Sequence, residues 1–169
     1  MDTKLRLAGV IKESIVDGPG WRFVVFAQGC PHRCKGCQNP QTHDFEGGYE
    51  TTVGNLIAEI KKNPLLKGVT FSGGEPFCQA KAFTQLAKKA HEMGLDVITY
   101  TGYTFEELTE QASDENGYID LLKETDILVD GRFILEQRTL SLKFRGSTNQ
   151  RVIDPKASLE QGKVVERDF

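Results

Sequence analysis

Apolar positions follow two alternating rhythms along this chain. Trp21 to Ala27, Gly68-Val69-Thr70-Phe71, Leu95 to Tyr100 and Asp126 to Val129 are short runs rich in β-branched and aromatic residues, and they predict strands. Between them the apolar positions shift to a helical period. Val53, Leu56, Ile57 and Ile60 share one face behind Thr51 or Thr52, either of which can cap a helix that stops at Asn63-Pro64. Ala80, Phe83, Leu86, Ala87 and Ala90 line a second helix over about 79–93, with Gly94 as its stop. Thr104-Phe105-Glu106-Glu107 reads as a capping box opening a third helix, and a further short helix is expected near 118–124. Strand and helix in strict alternation predict βαβ units, a parallel sheet and right-handed crossovers.

The flanks depart from this rhythm. Residues 1–14, with Leu5, Leu7 and Val10, suggest a strand or arm, and Asp17-Gly18-Pro19-Gly20 is a turn. Residues 40–50 are polar and Gly-rich, which predicts a loop. After the fourth strand the chain carries Arg132, Arg138, Lys143, Arg145 and Arg151 among Gly, Ser and Asn, with one short strand candidate at Arg151-Val152-Ile153. With no internal repeat or linker, residues 1–154 read as one domain, and the charged tail 155–169 is expected to be poorly ordered.

Composition narrows the setting. The chain has 169 residues, enough for one domain with its own core, and a formal net charge of -3 argues against nonspecific nucleic-acid binding. It has neither a run long enough to span a bilayer nor a signal-peptide apolar stretch, so a cytoplasmic setting is expected. There, clustered cysteines are read as metal ligands and not as disulfides.

Three cysteines cluster in this way. Cys30, Cys34 and Cys37 have C-x3-C-x2-C spacing directly after the first strong strand, in a loop too polar and too broken by Gly and Pro to be core. Closed structural zinc or iron–sulfur sites take four protein ligands. Three leave one position open, either for His32 or His43 at a zinc ion, or for an exogenous group at one iron of a [4Fe-4S] cluster. The remaining cysteine, Cys78, is expected to pack as a small core residue, although as a fourth thiolate it would make the centre an electron carrier.

Ligands of parallel α/β sheets sit beyond the carboxyl ends of the strands. Each unusual loop here lies at such an end: the cysteines, Ser72-Gly73-Gly74-Glu75-Pro76, Thr101-Gly102-Tyr103 and Asp130-Gly131-Arg132. Gly73 and Gly74 would let backbone approach a ligand, Glu75 could accept from a cationic amine, and Arg132 could hold a carboxylate.

The cysteine spacing together with Ser72 to Pro76 resembles the radical S-adenosylmethionine (SAM) enzymes, and Asp17 to Gly20 resembles the glycyl-radical-enzyme activases among them. Tyr100 to Tyr103, Val129 to Phe133 and Arg145 to Gln150 are most similar to the activating proteins of anaerobic ribonucleoside-triphosphate reductase. The resemblance covers about residues 10 to 153. It implies an incomplete (β/α) barrel of about four to six mainly parallel strands, with Cys30, Cys34 and Cys37 holding a [4Fe-4S] cluster. Reductive cleavage of SAM there would yield a 5′-deoxyadenosyl radical that takes hydrogen from a glycine loop of the reductase. By the same resemblance Gly36, Gln38, Ser72, Gly73, Gly74, Glu75 and Arg132 would contact SAM, and Asp17, Gly18, Pro19 and Gly20 would meet the partner. A reduced flavodoxin or similar donor would supply the electron. Related cysteine motifs carry an aromatic residue where Gly36 stands. Alternatives are an activase of the formate-lyase type and a non-enzymatic iron–sulfur or zinc module.

Overall fold

The computed structural model describes residues 3–37 and 39–169. In chain order the elements are β1 (Lys4–Ser14), β2 (Arg22–Ala27), β3 (Tyr49–Thr52), α1 (Val53–Lys61), β4 (Gly68–Gly73), α2 (Ala80–Glu92), β5 (Asp96–Tyr100), α3 (Phe105–Glu110), α4 (Tyr118–Glu124), β6 (Ile127–Asp130), β7 (Arg151–Ile153) and α5 (Pro155–Gln161). They build one mixed sheet of order β3-β1-β2-β4-β5-β6-β7. The pairings β2–β4, β4–β5 and β5–β6 are parallel, and those on either flank are antiparallel.

The helix starts follow their local chemistry. Thr52 accepts from Asn55 N ahead of α1, and at α3 Thr104 and Glu107 satisfy each other's backbone amides. Three expectations need correcting. The sheet has seven strands instead of four to six, because the polar stretch 40–50 ends in β3, a short edge strand paired to β1. The tail after Pro155 is ordered: Asp154 caps α5 by accepting from Ala157 N, Pro155 occupies its first turn, and Glu166 bridges back to Ile153. Cys78 is exposed on a single 3₁₀ turn and is not a core residue.

Residues opposite one another in neighbouring strands share a face of the sheet, which divides this one cleanly in two. Leu5, Leu7, Phe23, Val25, Val69, Phe71, Val97, Leu128 and Ile153 face the helices, and all five helices contribute to that core. The opposite face carries Val24, Thr70 and Ile98 in one row and Tyr100, Val129 and Val152 in another. No helix covers it. Beneath it the fully buried Arg22 donates to Thr70 Oγ1 at 2.7 Å and to the carbonyls of Val69 and Pro19, and it pairs with Asp96. Thr70 Oγ1 in turn donates to Asp17 O, tying the 17–20 turn to this face.

Candidate active site

At the carboxyl ends of its strands this helix-free face opens into a cavity of about 730 Å³, within the size range of small-molecule sites. Cys30, Cys34 and Cys37 line it together with Ser72, Gly73 and Gly74 from the end of β4. Tyr100 to Gly102 contribute from the end of β5, and Gly131 and Phe133 from beyond β6. The carboxyl ends of all four parallel strands therefore meet at one cavity.

Each thiol faces a peptide N–H. Cys30, the most buried, is met by the amides of His32 and Arg33, and Cys34 by that of Phe133, whereas Cys37 accepts from Asn39 N at 3.4 Å. Burial raises the Cys30 and Cys34 thiols above their ordinary range, and these amides pull the other way. Arg33, whose amide meets Cys30, adopts a left-handed backbone with φ 47°. Phe133 comes from a distant loop that is held in place by Asn149 donating to Arg132 O and Gln150 donating to Gly131 O.

Besides lining the cavity, the glycine pair lets two strand exits cross at close range. A side chain at Gly73 would strike the backbone of Ala27 and Phe26, and one at Gly74 would strike the carbonyls of Gly29 and Thr42. These two positions let the exit of β4 cross that of β2, sealed by Gly74 N donating to Ala27 O and Glu75 N to Gly29 O, both at 2.8 Å.

Other expected site residues are placed differently. Glu75 is fully buried, outside the cavity wall, and its carboxylate takes bonds from Phe77 N, Thr101 Oγ1, Gly102 N and His32 Nε2. Arg132 forms a pair with Glu107 at 3.1 Å and does not line the cavity. Gly36 packs against Leu135, and Gln38 lies outside the described residues. Of the 17–20 turn only Asp17 reaches the cavity; Gly18 and Pro19 pack on Arg22, and Gly20 on Lys67.

The sequence pattern left part of the wall unseen. Ile11, Val16, Phe26, Leu140 and Phe144 line the cavity as well. The period-2 alternation of β2 puts Phe26 on the same face as Val24, so this residue at least was open to detection. The segment 139–146 had no periodic signal.

The fit of a cluster rests on the donors. Among the described residues, no three His, Cys, Asp or Glu side chains converge on a single ion, and His32 is engaged by Glu75. A cluster takes one thiolate per iron, which suits three thiols lining one cavity. Two polar atoms of its wall, His43 Nε2 and Arg145 Nε, are buried without a hydrogen-bond partner among the described residues, as expected where a polar group is to be received. The residues fit a [4Fe-4S] cluster with a polar co-ligand beside it.

Comparison with known proteins gives the same reading. The 4Fe-4S single cluster domain family matches residues 16–153. The anaerobic ribonucleoside-triphosphate reductase-activating protein of Vibrio cholerae is 38% identical over 144 residues, spanning 80% of this chain and 89% of that protein. Its counterpart in Haemophilus influenzae is 35% identical with the same coverage. The pyruvate formate-lyase-activating enzyme of Clostridium pasteurianum is 35% identical over 73% of this chain, which spans 50% of that enzyme. Among solved structures, QueE from Escherichia coli superposes on 60% of this chain and 53% of its own at a TM-score of 0.47 and 18% identity. With its cysteine loop, its strand-end cavity and relatives matched over most of both chains, this protein belongs to the family of anaerobic ribonucleoside-triphosphate reductase-activating proteins.

Proposed function

We propose that this chain is a radical SAM activase that installs a glycyl radical on an anaerobic ribonucleoside-triphosphate reductase. The carrying observation is the single cavity that joins Cys30, Cys34 and Cys37 to the ends of β4, β5 and β6. In this reading the three thiolates hold the cluster, and SAM lies against the backbone of Ser72, Gly73 and Gly74. When bound, the reduced cluster and SAM supply a carbon-centred radical able to take hydrogen from a glycine Cα.

The chain's own residues supply position and dryness. Peptide N–H groups turned to the sulfurs of Cys30 and Cys34 favour their anionic, ligating form against the effect of burial. Phe26, Tyr100, Phe133 and Phe144 make much of the wall apolar and keep water from the reacting atoms. The sheet acts as an incomplete barrel whose helix-free face is its interior. Ile11, Val16 and Leu140 at the cavity offer an apolar approach for the reductase's glycine loop, with Asp17 beside them. A reduced flavodoxin or similar one-electron donor is the proposed reductant, and the cytoplasm the proposed setting. The relative from Clostridium pasteurianum favours a second reading, an activase of the formate-lyase type. Coverage weighs toward the reductase, because this chain spans 89% of the reductase activator from Vibrio cholerae and 50% of the lyase activator.

Anaerobic reconstitution with iron and sulfide, followed by reduction and electron paramagnetic resonance with and without SAM, tests the reading. A [4Fe-4S]⁺ signal shifted by SAM, followed by a glycyl radical on the purified reductase, supports it. A cluster indifferent to SAM would return the chain to the electron carriers.

A further inference from the structure

His32 stands between two of the three thiols, at the midpoint of Cys30 to Cys34, yet its side chain is only 4% exposed. Its ring is lodged in a built slot. Tyr103 meets it edge-on with centroids 4.5 Å apart, and a side chain at Gly102 would overlap the imidazole, so a residue with a Cβ there would close the slot. At the bottom of the slot Nε2 lies 2.7 Å from Glu75 Oε1.

Glu75 has no capacity to spare. Thr101 Oγ1 lies 2.9 and 2.8 Å from its two oxygens, Gly102 N donates to Oε1 at 2.8 Å, and Phe77 N donates to Oε2 at 3.1 Å. With His32 that makes four donors, about the number of lone-pair sites a carboxylate offers. A fully buried carboxylate is stable only when its oxygens are satisfied in this way, and the imidazole N–H is the one donor that comes from the cysteine loop.

We propose that Glu75 and His32 are positioning residues: by accepting from His32 Nε2, Glu75 anchors the cysteine loop to the ends of β4 and β5, and it does not receive the amine of a ligand. The anchor also bears on the backbone. Arg33, the next residue, is held left-handed at a cost of about 1 kcal/mol. Its amide and that of His32 both face Cys30, so freeing the imidazole would let this stretch relax and turn both donors away from the sulfur. Thr101 and Gly102, at the end of β5, thereby act on the thiol loop through a carboxylate supplied by the end of β4.

This inference rests on the cluster-binding role proposed above, and its test separates the two. His32→Leu removes the N–H donor, His32→Gln keeps one at similar reach, and Glu75→Gln removes the charge. The first readout is amide hydrogen exchange over residues 29–36 of the metal-free protein, where His32→Leu should lose protection and His32→Gln retain it. The second is chelator-driven iron release from the reconstituted protein without SAM. There His32→Leu should release iron about tenfold faster, in line with partners that orient metal ligands, and His32→Gln within about threefold of wild type. Glu75→Gln should keep SAM affinity within about threefold once its cluster is retained, because a lost amine acceptor would weaken binding by about tenfold or more. Unchanged exchange and iron release in His32→Leu would overturn the anchor, as would His32→Gln behaving like His32→Leu. Loss of SAM affinity confined to Glu75→Gln would assign the carboxylate to the ligand instead. Failure of wild type to hold a cluster would sink the cluster reading, and hydrogen exchange in the metal-free protein would then decide for or against the anchor by itself.

Discussion

Asn149 donates from its side-chain amide to the carbonyl oxygen of Arg132, 17 residues back, at 2.8 Å. The bond passes along the next residue to the site, because Phe133 presents its amide to Cys34. Gln150 reinforces it, its Nε2 donating to Gly131 O and its Oε1 accepting from the amides of Gly146 and Ser147. The 145–150 segment is thus a buttress for a cluster-facing loop. Hydrogen bonds to the sulfurs raise the potential of an iron–sulfur centre. Asn149→Ala should therefore lower the midpoint potential of the reconstituted centre while costing only about 1 kcal/mol of fold stability. Potentiometric titration followed by paramagnetic resonance reads the first effect, and thermal unfolding of the metal-free protein the second.

Gly74→Ala and Gly94→Ala should differ sharply. At Gly74 a Cβ would meet backbone carbonyls that cannot retreat, whereas at Gly94 nothing lies within 4 Å and only the positive φ of 79° opposes the change. About 3 kcal/mol or more is expected for the first and about 1 kcal/mol for the second. For a domain of this size each kcal/mol is roughly 2–4 °C, so the melting temperatures should separate clearly in calorimetry.

The sequence showed why these positions are glycine only in part. Gly73-Gly74 was legible as a special turn, but the sense assigned to it, room for a ligand, overlooked the crossing of two strand exits that only the β2–β4 register brings together. Helices α1, α2 and α3 were legible because cap and period agreed at Thr52, Gly94 and Thr104. Strand β3 was not, since Tyr49 to Thr52 is a half-exposed edge with no alternation to read. Helix α5 carried a readable start in Asp154-Pro155 that its charged composition outweighed. The role of Glu75 was beyond reach, because its partners lie at positions 32, 77, 101 and 102 and meet only through the sheet.

Tyr100 donates to Phe144 O at 2.6 Å, fastening the 139–146 segment over the cavity, and Phe144 itself has a left-handed backbone at φ 63°. Burial raises the Tyr100 hydroxyl above its ordinary range, so it remains a donor throughout the physiological range. Tyr100→Phe should release the segment at a cost of about 1 kcal/mol. Hydrogen exchange should then quicken across 139–146 and stay unchanged in α1.

His91 lies between Glu124 at 3.0 Å and Asp126 at 2.8 Å, and Lys156 also reaches Asp126. Burial lowers its pKa, but the two carboxylates outweigh that and hold it above the ordinary 6.5. A raised folded value means the contribution is complete below about pH 6.5 and fades as pH climbs through the folded value. Asp126 behaves oppositely: burial raises its pKa, bonds from His91, Val97 N and Lys156 lower it by more, and its contribution disappears only in acid. Partial exposure holds the histidine effect to about 1 kcal/mol. Wild type should lose roughly 2–4 °C more than His91→Gln between about pH 6 and about pH 9.

The wall over the thiols is synthesised long after the thiols themselves. Cys30 to Cys37 leave the ribosome roughly a hundred residues before Phe133, Asn149 and Gln150, some 5–20 seconds at ordinary translation rates. For most of that interval β6 and β7 do not yet exist, and Cys34 lacks the amide that Phe133 brings. A nascent chain therefore displays three unsheltered thiols, and metal delivered then would meet a half-built cradle. Productive loading is therefore expected only once that wall has formed, with oxidation of the thiols the expected hazard before then.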